Sequence, residues 1–511
     1  MAATTRCPCP ASTRPSLPIV EFPGVGLDAA QGKRIAAIAK RMLANEPMLA
    51  STQMFGDKVS TGVDDAPALF FEDHAEIALY SQPGGDLALQ YRILMLAGDG
   101  DMVLISGPRS EDFEAYCRHT LGLGGVTVLG VPSSSTLGLA TLPERCAATQ
   151  AALEPIIDTA RKHCRLNLIP YIGTRQAWRF AGLIAERTGA RVRVAAPPPL
   201  LTHRVNDKLW FAQCVKELLG PEALPPSYCT FGPASLSGRL AALARRFERI
   251  VIKIPDSAGG AGNLIFPSEL IRQLPPEALS RRVLRLLARR GWSGGFPLLV
   301  GAWDCKVLAS PSVQIWIPSR DDSLPVVEGV FDQAIGDEEG TFVGAMPCEL
   351  PDALRFRLAG EALQLACLFQ QMGYFGRCSF DAVVAGNTVA TARPHWIECN
   401  GRWGGTSIPM TLANRLLGDW KRRALLIIQR TDLRNAPCDL PAALDRLGPL
   451  AFRDRGDEGI VILTPGGLET GSGVHFMSLA RSRDEAHRQA RTAESLLRGE
   501  PADGQAGSQA R

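Results

Sequence analysis

The 511-residue sequence has no apolar run approaching the ~20 residues a membrane-spanning helix needs, so no membrane partner is expected. Nor does it lean to one sign of charge, since 55 Lys and Arg face 52 Asp and Glu, a formal net charge of +3. A dedicated nucleic-acid binder would carry a basic stripe with interleaved aromatics, and that class is excluded. Thirteen cysteines are scattered with only Cys7-Pro8-Cys9 closely paired. That is neither a disulfide framework nor a zinc site, and reduced, buried thiols fit the cytoplasm. The phosphate-loop pattern G-x-x-x-x-G-K-[ST] is absent, and so is the dinucleotide pattern G-x-G-x-x-G.

What is present is globular: 46% apolar and 21% charged residues, over a length that suits about three domains. The opening stretch is rich in Ser, Thr, Pro and Arg with no apolar h-region, so 1–17 reads as a disordered arm, not a secretory signal. Residues 18–200 read as a three-layer α/β unit. "DMVLISGP" and "GVTVLGVP" are short strands, and "RLNLIPYIGTRQAWRFAGLIAERTGARVRVAA" is a strand–helix–strand unit with a parallel pair. Three prolines in "APPPLLTHRVND" argue against helix there and mark a boundary. Asn206 or Asp207 then caps a helix ending at Gly220. Further on, the sequence predicts a small α/β lobe, a β-rich stretch and a long helix over 352–373. Two strands joined by a turn at Gly386-Asn387 and a helix near 409–430 follow. Two more strands and a helix from Ser482 to about Arg498 precede a polar tail, 499–511, which reads as disordered.

Chemistry concentrates in "HWIECNGRWGGTSIP", 395–409. Residues i and i+2 of a strand share a face, so Glu398 and Asn400 present two oxygen ligands together. If strand 377–385 pairs antiparallel across the turn, Asp381 joins them. Two carboxylates and an amide oxygen suit Mg²⁺, although a solvated strand face could carry the same residues. Upstream, "RIVIKIPDSAGGAGNLIF" places Lys253 on a strand before a loop with Gly259, Gly260 and Gly262. An inward lysine wants an anion, and glycines let backbone N–H groups approach phosphate oxygens. The alternative is a hairpin loop with an exposed lysine. Arg377 has the planar fork for a carboxylate or phosphate, or for a surface salt bridge. His395 and His203 read as structural.

Jointly these pieces resemble the ATP-grasp superfamily over roughly 200–425. The order matches: "NDK" opening a helix, a strand lysine before a glycine-rich flap, "GYFGRCSFDAVV", then "IECNGRWGG". The resemblance implies an α/β fold with α+β lobes. In it a Rossmann-like pre-ATP-grasp domain (18–200) precedes a two-lobed ATP-grasp domain (201–430) and a small β-containing C-terminal extension (431–498). Lys208 and Lys253 would contact ATP phosphates under a flap of Gly259, Gly260 and Gly262. Asp381, Glu398 and Asn400 would hold Mg²⁺, with Arg402 steadying the transferred phosphate and Arg377 a second catalytic candidate. "PLLVGAW" takes the place of the adenine-reading hinge, and Asp304 is the candidate ribose ligand. Gly401 stands where many relatives have proline. The layout is similar to the pheganomycin-type peptide ligases.

The activity so implied is ATP- and Mg²⁺-dependent joining of a carboxylate to an amine or peptide through an acyl-phosphate, in peptide natural-product biosynthesis. Two other readings stay open. One is an ATP-grasp kinase or synthase using the acyl-phosphate otherwise, and the other is a non-catalytic nucleotide-binding scaffold. Homodimers are common among such relatives.

Overall fold

A computed structural model describes residues 17–77, 89–133, 141–255, 257, 262–336, 341–430, 439–469, 471 and 473–499. Nearly all of the expected arm and tail, together with Gly259 and Gly260, lies outside the described residues. Three sheets organise what is described.

The first is a six-stranded sheet, in spatial order Val59–Thr61, Arg191–Val194, Arg165–Pro170, Ala68–Phe71, Met102–Ser106 and Thr127–Val131. Every pairing in it is parallel. Its central strands read as unbroken apolar runs because both faces are covered; Ala68–Phe71 and Met102–Ser106 are buried throughout. The expected strand–helix–strand unit is there. Thr174 caps helix Arg175–Thr188 through its side chain, and Gly189 ends it in the left-handed conformation at φ 71°. The strand order reverses between Ala68–Phe71 and Arg165–Pro170. In open parallel sheets a crevice forms at the carboxyl ends of the strands at such a point.

The second sheet has four antiparallel strands, in order Ser227–Thr230, Leu298–Ala302, Arg249–Lys253 and Asn263–Pro267. Helices Pro233–Ala244 and Pro276–Arg289 bury Leu236, Leu240, Val283 and Leu287 against Ile250, Ile252 and Val300. Alternation turns Val251 and Lys253 to the opposite face.

The third sheet has nine strands. Helix Asp352–Gln371 packs on it over Val313, Ile315 and Phe380. Strands Ala424–Arg430, Val474–Ala480 and Gly459–Thr464 continue the same sheet, joined to it through Thr341–Pro347. The expected boundary at residue 430 therefore falls between strands of one sheet.

Three local expectations are corrected. Helix Pro199–Asn206 forms within the proline-rich boundary. A proline in the first turn gives up an N–H that has no intrahelical partner anyway. The helix near 409–430 is a shorter one, Ser407–Leu417, stopped at Gly418 (φ 78°) and followed by strand Ala424–Arg430. The connection at Gly386-Asn387 spans residues 386–392 and is not a two-residue turn. No described helix is long and apolar enough to cross a membrane.

Candidate active site

Strands Gly376–Ala385 and Arg393–Asn400 pair antiparallel, with Asp381 directly opposite Glu398 and Ser379 opposite Asn400. The register shifts just beyond Asp381, because Ala382 faces Trp396 and leaves Ile397 as the extra residue of a bulge. The bulge sets which side chains face where. Strict alternation would put Trp396 on the side of Glu398 and Asn400. With the extra residue, Trp396 and Cys399 both enter the core, and Glu398 and Asn400 share the open face.

On that face, Asn400 Nδ2 donates to Asp381 Oδ2 at 2.8 Å, and the Ser312 hydroxyl donates to Asp381 Oδ1 at 2.6 Å. Lys208 Nζ lies 3.0 Å from Glu398 Oε2 and also donates to the Ser257 carbonyl. Lys208 is held there as the first residue of helix Lys208–Leu219, whose N-cap Asp207 accepts from the Leu209 and Trp210 N–H groups. Lys253 ends its strand 7% exposed. Burial lowers its pKa to about 8, against the pull of Glu398. Burial also pushes the Glu398 carboxyl up, but Lys208 and then Lys253 outweigh it and hold Glu398 below its ordinary value. Asp381 goes the other way, raised to about 6 by burial and by the neighbouring Glu398 charge.

Arg402 follows through two contacts. Asn206 Oδ1 accepts from Arg402 Nη1 at 2.7 Å and from the Gly401 N–H at 3.1 Å, while Asn206 Nδ2 donates to the Thr202 carbonyl. Gly401 leaves no room for a larger residue, since a Cβ there would sit 2.5 Å from Val205 Cγ2. Next along, the Trp403 N–H donates to the Tyr171 carbonyl at 3.0 Å, and Ile172 bridges Arg402. The loop after strand Arg393–Asn400 is thereby tied to the crevice of the parallel sheet. A cavity of about 350 Å³ opens between them, lined by Lys208, Glu398, Asn400 and Arg402 on one side and by Ile172 and Thr174 on the other.

The remaining expected residues are placed as follows. Gly262 packs so closely that a Cβ would meet Ser257 Oγ at 1.9 Å, and its carbonyl accepts from the Ile254 N–H. Asp304 Oδ2 is 2.9 Å from His395 Nδ1, and neither residue lines the cavity. Arg377 is fully buried in an ion pair with Glu328, with its guanidinium 4.8 Å from the Trp403 ring and 5.5 Å from Trp316. Burial lowers its pKa to about 9, and it too is absent from the cavity wall. His203, read from sequence as structural, is exposed on the cavity wall. Sequence reasoning missed Ser312 and the role of Asn206. Neither has a motif of its own, and each reaches the site only through tertiary pairing.

Among the described residues no group of three or more His, Cys, Asp and Glu forms a metal site. The donor set is instead two carboxylates and an amide. It fits Mg²⁺, which takes few protein oxygens and leaves the rest of its shell to water and phosphates. Two partly buried carboxylates directly opposite each other, one with a raised pKa, are the electrostatic condition a divalent cation would relieve.

Residues 90–186 match the family model described as Pre ATP-grasp domain. No curated protein matches the chain by sequence. Among solved structures, the biotin carboxylase–β,γ-ATP complex from Campylobacter jejuni superposes with a TM-score of 0.50 at 13% identity, covering 86% of this chain and 91% of that one. The ADP complex of N5-carboxyaminoimidazole synthetase from Staphylococcus aureus gives 0.48 at 9% identity, over 86% and 100% of the two chains. The biotin carboxylase domain of the Hydrogenobacter thermophilus 2-oxoglutarate carboxylase, with MgADP, ADP and bicarbonate, gives 0.48 at 13%, over 84% and 89%. The fold is a mixed α/β one in which a pre-ATP-grasp domain precedes an ATP-grasp fold.

Proposed function

We propose that the protein is an ATP- and Mg²⁺-dependent, ADP-forming ligase that joins a carboxylate to an amine. The observation carrying this reading is the position of Glu398. It faces Asp381 across the strand pair, touches Lys208 at 3.0 Å, and stands on the wall of a cavity that also holds Arg402. In the reaction a carboxylate oxygen attacks the γ-phosphorus of ATP and ADP leaves, giving an acyl-phosphate. The amine nitrogen then attacks the acyl carbon, phosphate departs, and the nitrogen loses a proton to leave an amide.

The physical demand is to bring two anions together. Lys208 and Lys253 supply fixed positive charge toward the triphosphate, and Arg402, aimed by Asn206, steadies the transferring phosphoryl group. Asp381, Glu398 and Asn400 would hold Mg²⁺, which would supply positive charge to offset that of the phosphates. Strand Leu298–Ala302 takes the hinge position beside the adenine, with Asp304 on the ribose side. Gly262 belongs to the flap with Gly259 and Gly260. Arg377 acts at a distance, supporting Trp403 and the loop that carries Arg402. A substrate pair of amino acids or short peptides, within peptide natural-product assembly, is the finer reading, and it rests on the overall layout of the chain and the segment "HWIECNGRWGGTS".

The test is a screen of amino acids and short peptides for Mg²⁺-dependent ADP release, with products identified by mass. An amide product formed only when carboxylate and amine are both present is expected. ADP release with a carboxylate alone would point to a kinase or synthase. Nucleotide binding with no turnover under any pairing would overturn the ligase.

A further inference from the structure

One wall of the cavity has no task in the reading above. Beyond Arg402 the space runs to the carboxyl ends of strands Ala68–Phe71 and Arg165–Pro170, where Glu76, Ile77 and Thr174 line it. The Thr174 hydroxyl and the Arg175 backbone N–H reach toward the Glu76 carboxylate and favour its charge. Burial, and then the adjacent Asp73 and Glu144, oppose that charge and raise its pKa. The cavity is therefore dipolar. On the wall, Lys208 and Arg402 outnumber Glu398 at one end, and at the other Glu76, with Asp73 and Glu144 behind it, outnumbers Arg175.

Polarity of this kind restricts what can fill the space. A molecule whose only charge is the carboxylate to be activated would find a partner at Arg402 and leave Glu76 against a neutral group. An exposed carboxylate that becomes covered without a cationic partner loses solvation and gains nothing. Resting on the ligase reading, we infer that Glu76 is a specificity-determining residue for a dipolar substrate. The substrate's carboxylate lies toward Arg402 and its protonated amine or guanidinium is held by Glu76.

The test varies only the cationic group. ω-Amino acids from glycine to 6-aminohexanoate are each matched with the unbranched carboxylic acid lacking the amine, with hydroxylamine as a fixed nucleophile to trap the acyl-phosphate and Mg²⁺-dependent ADP release as the readout. The expected result is one chain length whose amino acid has a KM at least roughly tenfold below that of its partner acid, the strength of one charge-assisted hydrogen bond. Glu76→Gln should remove that preference and leave the KM for ATP unchanged. Glu76→Lys should transfer it to the dicarboxylate of similar length. Equal use of both members by the wild type, or a preference that survives Glu76→Gln, overturns the assignment. If no compound releases ADP, it is the ligase reading that fails. Thermal shifts with the same pairs in MgADP then decide the anchor. A shift with the amine-bearing member alone, lost in Glu76→Gln, upholds it, and equal shifts or none refute it.

Discussion

Glu398 and Glu328 are both carboxylates set against a cationic side chain on the large sheet, yet what lies on their far side differs. Glu328 is sealed, with its side chain 0% exposed and Arg377 at 1%, under the rings of Trp316 and Trp403. Glu398 keeps 20% of its side chain open, toward the cavity. A second sealed group behaves like the first: Glu72 accepts from Arg92 and meets His74 at 2.9 Å, with all three buried between the parallel sheet and Val474–Ala480. The sealed pairs balance charge within the protein. Around Glu398, three cations, Lys208, Lys253 and Arg402, stand against the two carboxylates Glu398 and Asp381. Burial makes charge costly in both places, but only the second leaves positive charge facing open space. Open imbalance is the mark of a site, and closed balance the mark of a scaffold.

Breaking the open cluster should cost activity alone. Glu398→Ala is expected to lower Mg²⁺-dependent turnover by at least roughly 10²-fold, as for loss of a transition-state charge partner. Its melting temperature should stay near that of the wild type, as calorimetry would check. Breaking a closed pair should do the reverse. Arg377→Ala strands a buried carboxylate and should destabilise the fold by about 3–5 kcal/mol in urea titration. The paired replacement Arg377→Met with Glu328→Leu should recover most of that loss. ATP affinity in the doubly substituted protein should match the wild type.

Asn206→Ala sharpens the comparison from the edge of the open cluster. It frees the Arg402 guanidinium without removing it, so kcat/KM should fall by roughly tenfold, about the strength of one hydrogen bond to a charged group. His475 tests the sealed side. Burial, and then Arg92, hold its pKa at about 3, below the ordinary 6.5. Between those values the unfolded chain binds the proton and the native chain does not, so stability falls as pH drops through 6.5 toward 3. The slope is at most about 1.4 kcal/mol per pH unit from this one group. His475→Gln should flatten that part of the urea-midpoint profile between pH 6.5 and 5 and leave it unchanged above pH 7.5.

Periodicity and turn chemistry in the sequence foretold much of this architecture. The parallel unit around Thr174 and the strand pair carrying Asp381 and Glu398 were legible because alternation, capping and glycine are local. What lay hidden was tertiary. Arg377 sits four residues before Asp381 on the same strand, and nothing in that spacing says that Glu328, two strands away across Pro311–Ile317, claims its guanidinium. Glu76 and His203 carry no motif. They reach the cavity only because the parallel sheet reverses strand order there and a proline-started helix lies over it. The bulge at Ile397 was equally silent, although it keeps Trp396 out of the cleft.

Manganese binding followed by electron paramagnetic resonance, with Mn²⁺ in place of Mg²⁺, tests the central claim without knowledge of the substrates. In the presence of ADP, wild type and Arg377→Met/Glu328→Leu should both bind one tightly held ion, and Glu398→Ala should lose it. Equal manganese affinity in Glu398→Ala and the wild type would contradict the account.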